Sequence, residues 1–276
     1  MNKAIQIAYN EFFKIKCKIA SEAGFDSIAI NFHDMENRLD VTWKEATEKI
    51  LKILNDCGLK CVQTHLPYYD LRISAEILQD EMESAIREAI RVSGEIGAPW
   101  CVYHPRSAVD LGFTSAKALE INKRVISDYI ECAVKSNTGI ALENLPIFQI
   151  VPVKPYYTSD YNDLCELSDS FQSEYVGICW DTGHANMMYF DQGQAIRFLG
   201  DRIKCTHIHN NNKSQDLHLL PDSGNIEWNK VMEAFKSIHY SGPLTLETRC
   251  SYNDEVLWKS FAQHGYGCLR YLEKLI

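Results

Sequence analysis

The chain has 276 residues, 46% hydrophobic and 24% charged, an ordinary composition for one globular domain. Thirty-seven acidic against 28 basic residues give a formal net charge of −9, which repels phosphate backbones and anionic membranes at long range, so nucleic acid is not the expected partner. No stretch approaches the roughly 18 apolar residues of a membrane span, and ten cysteines with no C-x-x-C pair read as buried free thiols in a reducing compartment.

Short β-rich runs alternate with longer amphipathic stretches along the whole chain. AIQIAY comes first, with no sustained apolar core or cleavage site that would suggest a signal peptide, and a cytoplasmic protein is expected. A helix is predicted around 12–23; its Lys14, Lys16 and Lys18 fit a solvated face. SIAINF is the second strand, and Asp40-Val41-Thr42 is a start signal for a helix over 42–57. After KCVQTHLP, Ala75, Leu78, Met82, Ile86, Ala89 and Ile90 recur at spacings of three and four, predicting a helix over Ser74–Ile96. CVYHP precedes a helix over 115–136 that Thr114-Ser115 would start. GIALENLP, VGICWDTGH, KCTHIHN and PLTLETR follow, each leading into a helical pattern, around 160–173, 191–200, 226–238 and 254–275. Gly24, Gly58, Gly97, Gly139 and Gly242 each stand just before a strand, as turn glycines do.

Strands alternating with helices imply parallel pairing and right-handed crossovers. Eight such units, with no Gly-x-Gly-x-x-Gly after the first strand, fit a closed barrel better than an open dinucleotide-binding sheet. The expected fold is α/β, a single (β/α)8 TIM barrel spanning 1–276.

Strands buried on both faces should be almost continuously apolar. Here they carry His65, His104, Glu143, Asp181 with His184, His207 with His209, and Glu247 at or near their C-terminal ends. A barrel's active site lies at that end, and closure brings all eight ends around one axis. One such histidine is most often structural, and His33, His239 and His264 are read that way. Six strands ending so are not six coincidences, because a carboxylate beside a packed core is costly unless paired or metal-bound. Glu143, Asp181, His209 and Glu247 combine oxygen donors with imidazole, which suits Mn²⁺, Zn²⁺, Co²⁺ or Mg²⁺. His207 and His209 point to the same side of a strand, and His209, nearer the mouth, is taken as the ligand. Asp216 and His218, spaced D-x-H in the loop after the seventh strand, are a further ligand pair at even odds with a solvated turn.

THLPYY, CVYHP, ALENLP, CWDTGH, HIHNNN, DLHLLPDSGNIEW and LTLETR, in this order, resemble the xylose isomerase-like barrels, which include sugar isomerases and epimerases and the endonuclease IV type of repair enzyme. In the epimerase branch the resemblance implies one metal held by Glu143, Asp181, His209 and Glu247. In the endonuclease branch it implies a trinuclear zinc cluster using His65, His104, His184, Asp216 and His218 as well, so one to three ions are open. Ketose epimerases carry an Arg after the seventh strand, where this chain has Asn210-Asn211-Asn212-Lys213. Glu143-Asn144-Leu145-Pro146 looks like the sugar-enzyme branch.

The implied activity is metal-dependent isomerisation or epimerisation of a small-molecule sugar through an enediolate, with Glu143 and Glu247 as the two bases. His184, His65 and His104 would contact substrate or further ions, and Tyr68, Trp180 and Trp43 would offer an apolar wall or pack in the core. The alternatives are a zinc phosphodiesterase acting on abasic DNA and a non-catalytic sugar-binding barrel. A homo-oligomer is compatible with the sequence, which leaves the particular sugar, its phosphorylation and the metal undefined.

Overall fold

Eight strands run parallel as neighbours in one sheet, each separated from the next by helix. They are β1 (Lys3–Ala8), β2 (Ser27–Asn31), β3 (Lys60–His65), β4 (Trp100–Tyr103), β5 (Gly139–Glu143), β6 (Val176–Asp181), β7 (Ile203–His207) and β8 (Leu244–Leu246). The ladder runs β8-β1-β2-β3-β4-β5-β6-β7, and a parallel bridge between Ile208 and Leu246 joins its two ends into a barrel. The fold is therefore the (β/α)8 barrel expected from the sequence. This is a computed structural model, and it describes residues 1–33, 42–69, 78–107, 114–148, 154–188, 190–250 and 253–276.

The surrounding helices are α1 (Phe13–Ala23), α2 (Trp43–Cys57), α3 (Asp80–Glu95), α4 (Ser115–Ser136), α5 (Tyr161–Asp169), α6 (Thr182–Met187), α7 (Gln192–Leu199), α8 (Trp228–Ser237) and α9 (Glu255–Glu273). Their starts follow local chemistry. Thr42 accepts from the Glu45 amide while the Glu45 carboxylate accepts from the Thr42 amide, a reciprocal cap on α2. Thr114 caps α4 through the Lys117 amide. Asp40 and Val41 of the first start signal, and Ser74 and Ala75 of the predicted third helix, lie outside the described residues. Gly24 and Gly58 close α1 and α2 in the left-handed conformation. After α4 that task falls to Asn137 (φ 56°) rather than to a glycine.

Inward-facing side chains stack in layers, because alternate residues of a strand share a face. Trp100 fills the bottom, and a Cβ on Gly139 would lie 2.3 Å from its ring. Gly139 is thus a packing requirement for Trp100. Val102, Ala141, Cys179 and Cys205 form the next layer. Continuing the same parity by two residues reaches Glu143, Asp181 and His207. Helix faces cover the outside of the sheet with Ile86, Ala89, Ile90, Val125, Tyr129 and Leu269. All ten cysteines are free, with Cys17, Cys61, Cys101, Cys179 and Cys205 buried. No described helix is long and apolar enough to cross a membrane.

Candidate metal centre

The acids and imidazoles expected at the strand ends converge on the barrel mouth, and most of them are out of solvent. Glu143, Asp181, His207 and His209 are completely buried, and His65 and His184 nearly so. Three groups of potential ligand atoms, each mutually within 4.8 Å, gather there: His65, His104 and Glu143; Glu143, Asp181, His207 and Glu247; and His184, His209, Asp216 and His218. Glu143 belongs to two of them.

In the carboxylate-rich group the imidazole is His207, where the sequence reading put His209. Sheet register explains the difference: Asp181 pairs with His207, so both emerge at the same height. His207 Nδ1 lies 3.2 Å from Glu143 Oε1 and 3.1 Å from Glu247 Oε2. His209 is two residues past the strand, with Nε2 on Asp181 Oδ2 at 2.9 Å and its ring stacked on His218 at 4.2 Å.

Hydrogen bonds to the backbone set the directions of these groups. His65, His184 and His218 each donate Nδ1–H to a carbonyl oxygen, of Leu66, Asn144 and Glu247 respectively, all at 2.9 Å. A carbonyl only accepts, so the outer nitrogen keeps its hydrogen and Nε2 is left to face inward. Metal-ligating histidines are oriented in the same way. Asp181 Oδ1 accepts from the His184 amide at 2.6 Å and so caps α6. Asn144 grips the same residue twice, accepting from the Asp181 amide at 2.7 Å and donating to its carbonyl at 2.9 Å. A Cβ on Gly183 would fall 1.9 Å from His209 Cε1, so D-T-G-H needs glycine for His209 to reach Asp181.

Electrostatics follow from this crowding. Burial alone would raise the Glu143 carboxyl, but the imidazoles of His207 and His104 outweigh it and hold that group well below the carboxylate range. For Glu247, burial is likewise overcome by His207 and His218. Burial would lower His207, His184 and His218; facing carboxylates win and raise all three above the ordinary imidazole value. His104 goes the other way, because burial prevails there. Both Glu143 oxygens, both His207 nitrogens, Glu247 Oε2 and Asp216 Oδ1 are buried without a partner in hydrogen-bonding geometry. Their near contacts therefore lack the aligned N–H···O arrangement that would satisfy them. Buried polar atoms converging on common centres, in a mixed oxygen and nitrogen set, fit divalent cations.

Above the cluster opens a cavity of about 430 Å³. Its wall carries Tyr68, Trp258, Gln6, Asn31, Lys16 and Arg249. Burial, followed by Glu247 and Glu143, pushes the Tyr68 hydroxyl up to about 12, so it remains a hydrogen-bond donor. Trp180 and Trp43 instead pack in the core, on Phe190 and Phe32. Gln6, Asn31 and Arg249 escaped the sequence reading as site residues, since a lone amide or a rim arginine has no signature in one chain. Arg249 had a cue in its position, two residues after Glu247.

The Xylose isomerase-like TIM barrel family matches residues 17–267. The chain belongs to this family. It is similar to an uncharacterized protein, y4fM, of Sinorhizobium fredii, with 28% identity over 170 residues, covering 59% of this chain and 51% of that protein. It is also similar to a D-psicose 3-epimerase of Enterocloster bolteae, 28% identical over 92 residues, covering 33% of this chain and 29% of that one. The chain thus spans about half the length, or less, of these two relatives. Among solved structures, D-psicose 3-epimerase with D-tagatose from Clostridium cellulolyticum H10 superposes with a TM-score of 0.79 at 15% identity, covering 99% of each chain. At that identity the likeness concerns the fold.

Proposed function

We propose that this barrel is a divalent-metal-dependent isomerase or epimerase that moves a proton at a carbon next to a sugar carbonyl. The observation that carries the reading is the flanking of His207 by Glu143, fully buried, and Glu247, partly exposed to the cavity, two carboxylates lowered in pKa beneath a sugar-sized space. Glu143, Asp181, His207 and Glu247 would hold the ion, with His207 taking the place first expected for His209. A divalent ion bound there would supply Lewis-acid polarisation of the substrate carbonyl.

The chain's own residues do the rest. One of Glu143 and Glu247, as the carboxylate, removes the proton, and the other, protonated from solvent, donates one on the opposite face. Gln6 donates to Glu247 Oε1 at 2.8 Å and fixes the direction of that base. Tyr68 closes the cavity beside His104, 4.4 Å between ring centroids, and offers its hydroxyl to substrate oxygen. Arg249, on the rim, supplies the guanidinium that Asn210–Asn212 lack. The D-psicose 3-epimerase relative of Enterocloster bolteae supports a ketose or related sugar as substrate.

The test is proton exchange. A ketose that turns over in D₂O acquires deuterium at the reacting carbon with the unaltered protein, and Glu143→Gln and Glu247→Gln each abolish it. Exchange retained in both variants defeats the two-base mechanism. A second reading, zinc-dependent cleavage of abasic DNA, draws on the three ligand groups gathered at the mouth, two of which share Glu143. Three zinc ions per chain together with nicking of an abasic duplex would establish it in place of the first.

A further inference from the structure

We infer that Asp222, His264 and Cys268 form a separate binding site for a borderline divalent cation such as Zn²⁺, in the groove between α9 and the 3-10 turn Pro221–Ser223. The three residues offer a carboxylate oxygen, an imidazole nitrogen and a sulfur, the three donor types of protein zinc sites, and these atoms lie within 4.8 Å of one another. His264 and Cys268 are four residues apart on α9, so one helical turn presents both to the same side. Asp222 meets them from the turn, with its Oδ2 2.8 Å from His264 Nε2.

An exposed histidine–aspartate pair alone is ordinary. Here the half-buried Cys268 adds a sulfur donor to the pair, and the adjoining groove of about 390 Å³ is walled by Pro221, Trp228, Tyr271 and Leu272. The turn is already rigid. Trp228 Nε1 and Asn210 Nδ2 both donate to the Pro221 carbonyl at 2.7 Å, so binding does not have to order Asp222. Gly267 lines the groove with nothing within 4 Å of where a Cβ would stand, which leaves the approach open.

Three protein ligands leave a fourth tetrahedral position for water. On binding, the Cys268 thiol loses its proton to solvent and a metal–sulfur bond forms with no change in oxidation state. The turn bearing Asp222 continues the segment carrying Asp216 and His218, so the cation would tie that part of the mouth to α9.

Cobalt reports the site independently of activity. In chelator-stripped full-length protein titrated with Co²⁺, a thiolate-to-cobalt charge-transfer band should appear in the near ultraviolet, and Trp228 fluorescence should be quenched along with it. Cys268→Ser should remove the band. Cys250→Ser, which alters the one cysteine lining the mouth cavity, should leave it intact. His264→Gln, at an exposed position that folding tolerates, should weaken the cobalt affinity by about tenfold or more. Zinc content after loading should be one equivalent lower in Cys268→Ser than in the unaltered protein. Absence of the band, its survival in Cys268→Ser, or equal zinc content in the two proteins would each overturn the site.

Discussion

Gly183→Ala isolates the geometry of the mouth. The added methyl would lie 1.9 Å from His209 Cε1 and 2.2 Å from Nδ1, so the imidazole must move. It has little room, because His209 is fully buried, stacked on His218 and bonded to Asp181 Oδ2. Losing a hydrogen bond to a carboxylate costs about 1.5–3 kcal/mol. Overpacking a filled interior costs about 1–3 kcal/mol more. The sum, about 2.5–6 kcal/mol, lowers the melting temperature of a domain this size by roughly 5 °C or more. Calorimetric melting of the chelated protein measures it free of any gain from bound ions. Gly267→Ala is the control: an exposed helical position with nothing within 4 Å, expected to be neutral or up to about 1 kcal/mol more stable. If Gly183→Ala melted within about 2 °C of the unaltered protein, His209 would not be fixed by that glycine.

Arg249→Ala should raise KM several-fold with little change in kcat or ion content, since Arg249 lines the rim and belongs to none of the ligand groups; lost ions would refute a substrate-holding role. Tyr129→Phe should cost about 1.5–3 kcal/mol without loss of turnover, because its hydroxyl donates to both oxygens of the buried Glu83 carboxylate at 2.9 Å, away from the mouth; denaturant titration that finds no loss would show that Tyr69 suffices. The melting temperature should depend on pH in opposite directions without and with metal. In chelated protein, the raised His184, His207 and His218 contribute stability that is full below the ordinary imidazole value of about 6.5 and lost as pH rises through their folded values. The lowered Glu143 and Glu247 contribute above about 4.5 and lose it as pH falls through theirs, so stability should peak between these limits. Metal-loaded protein should instead gain stability as pH rises through neutrality, because protons compete for the imidazoles; parallel slopes in the two forms would exclude such competition.

The barrel was legible because its signals are local. Short apolar runs, helical spacing, Thr42 and Thr114 as caps and glycine stops all act within a few residues. The site was legible for the opposite reason: ionisable groups violate the apolar pattern of buried strands, and barrel topology gathers every violation at one end. What stayed hidden depends on register and approach distance. Choosing between His207 and His209 requires knowing that Asp181 pairs with His207, which no spacing within β7 reveals. The sixth segment reads as one run through CWDTGH, yet α6 begins at Thr182, where the Asp181 side chain turns from strand polarity to helix cap. The small antiparallel pair of Ile147–Phe148 with Lys154–Pro155 went unnoticed, since two-residue strands carry no periodicity.

One balance of charge governs how this mouth can exist both without an ion and with one. Glu143, Asp181, Asp216 and Glu247 are four acids in a space largely closed to water, and uncompensated they would be too costly to bury. Three imidazoles, His184, His207 and His218, stand among them with pKa raised by the facing carboxylates, which favours their protonated form. On His184 and His218 the outer Nδ1–H is committed to a backbone carbonyl, so the exchangeable proton is the inward one on Nε2. That is the proton a divalent ion must replace. Ion uptake is then an exchange of positive charge at nearly fixed positions, with the imidazole rings already aimed by the backbone. In such an arrangement the protonated histidines would hold the carboxylates in place until a divalent ion displaced their protons.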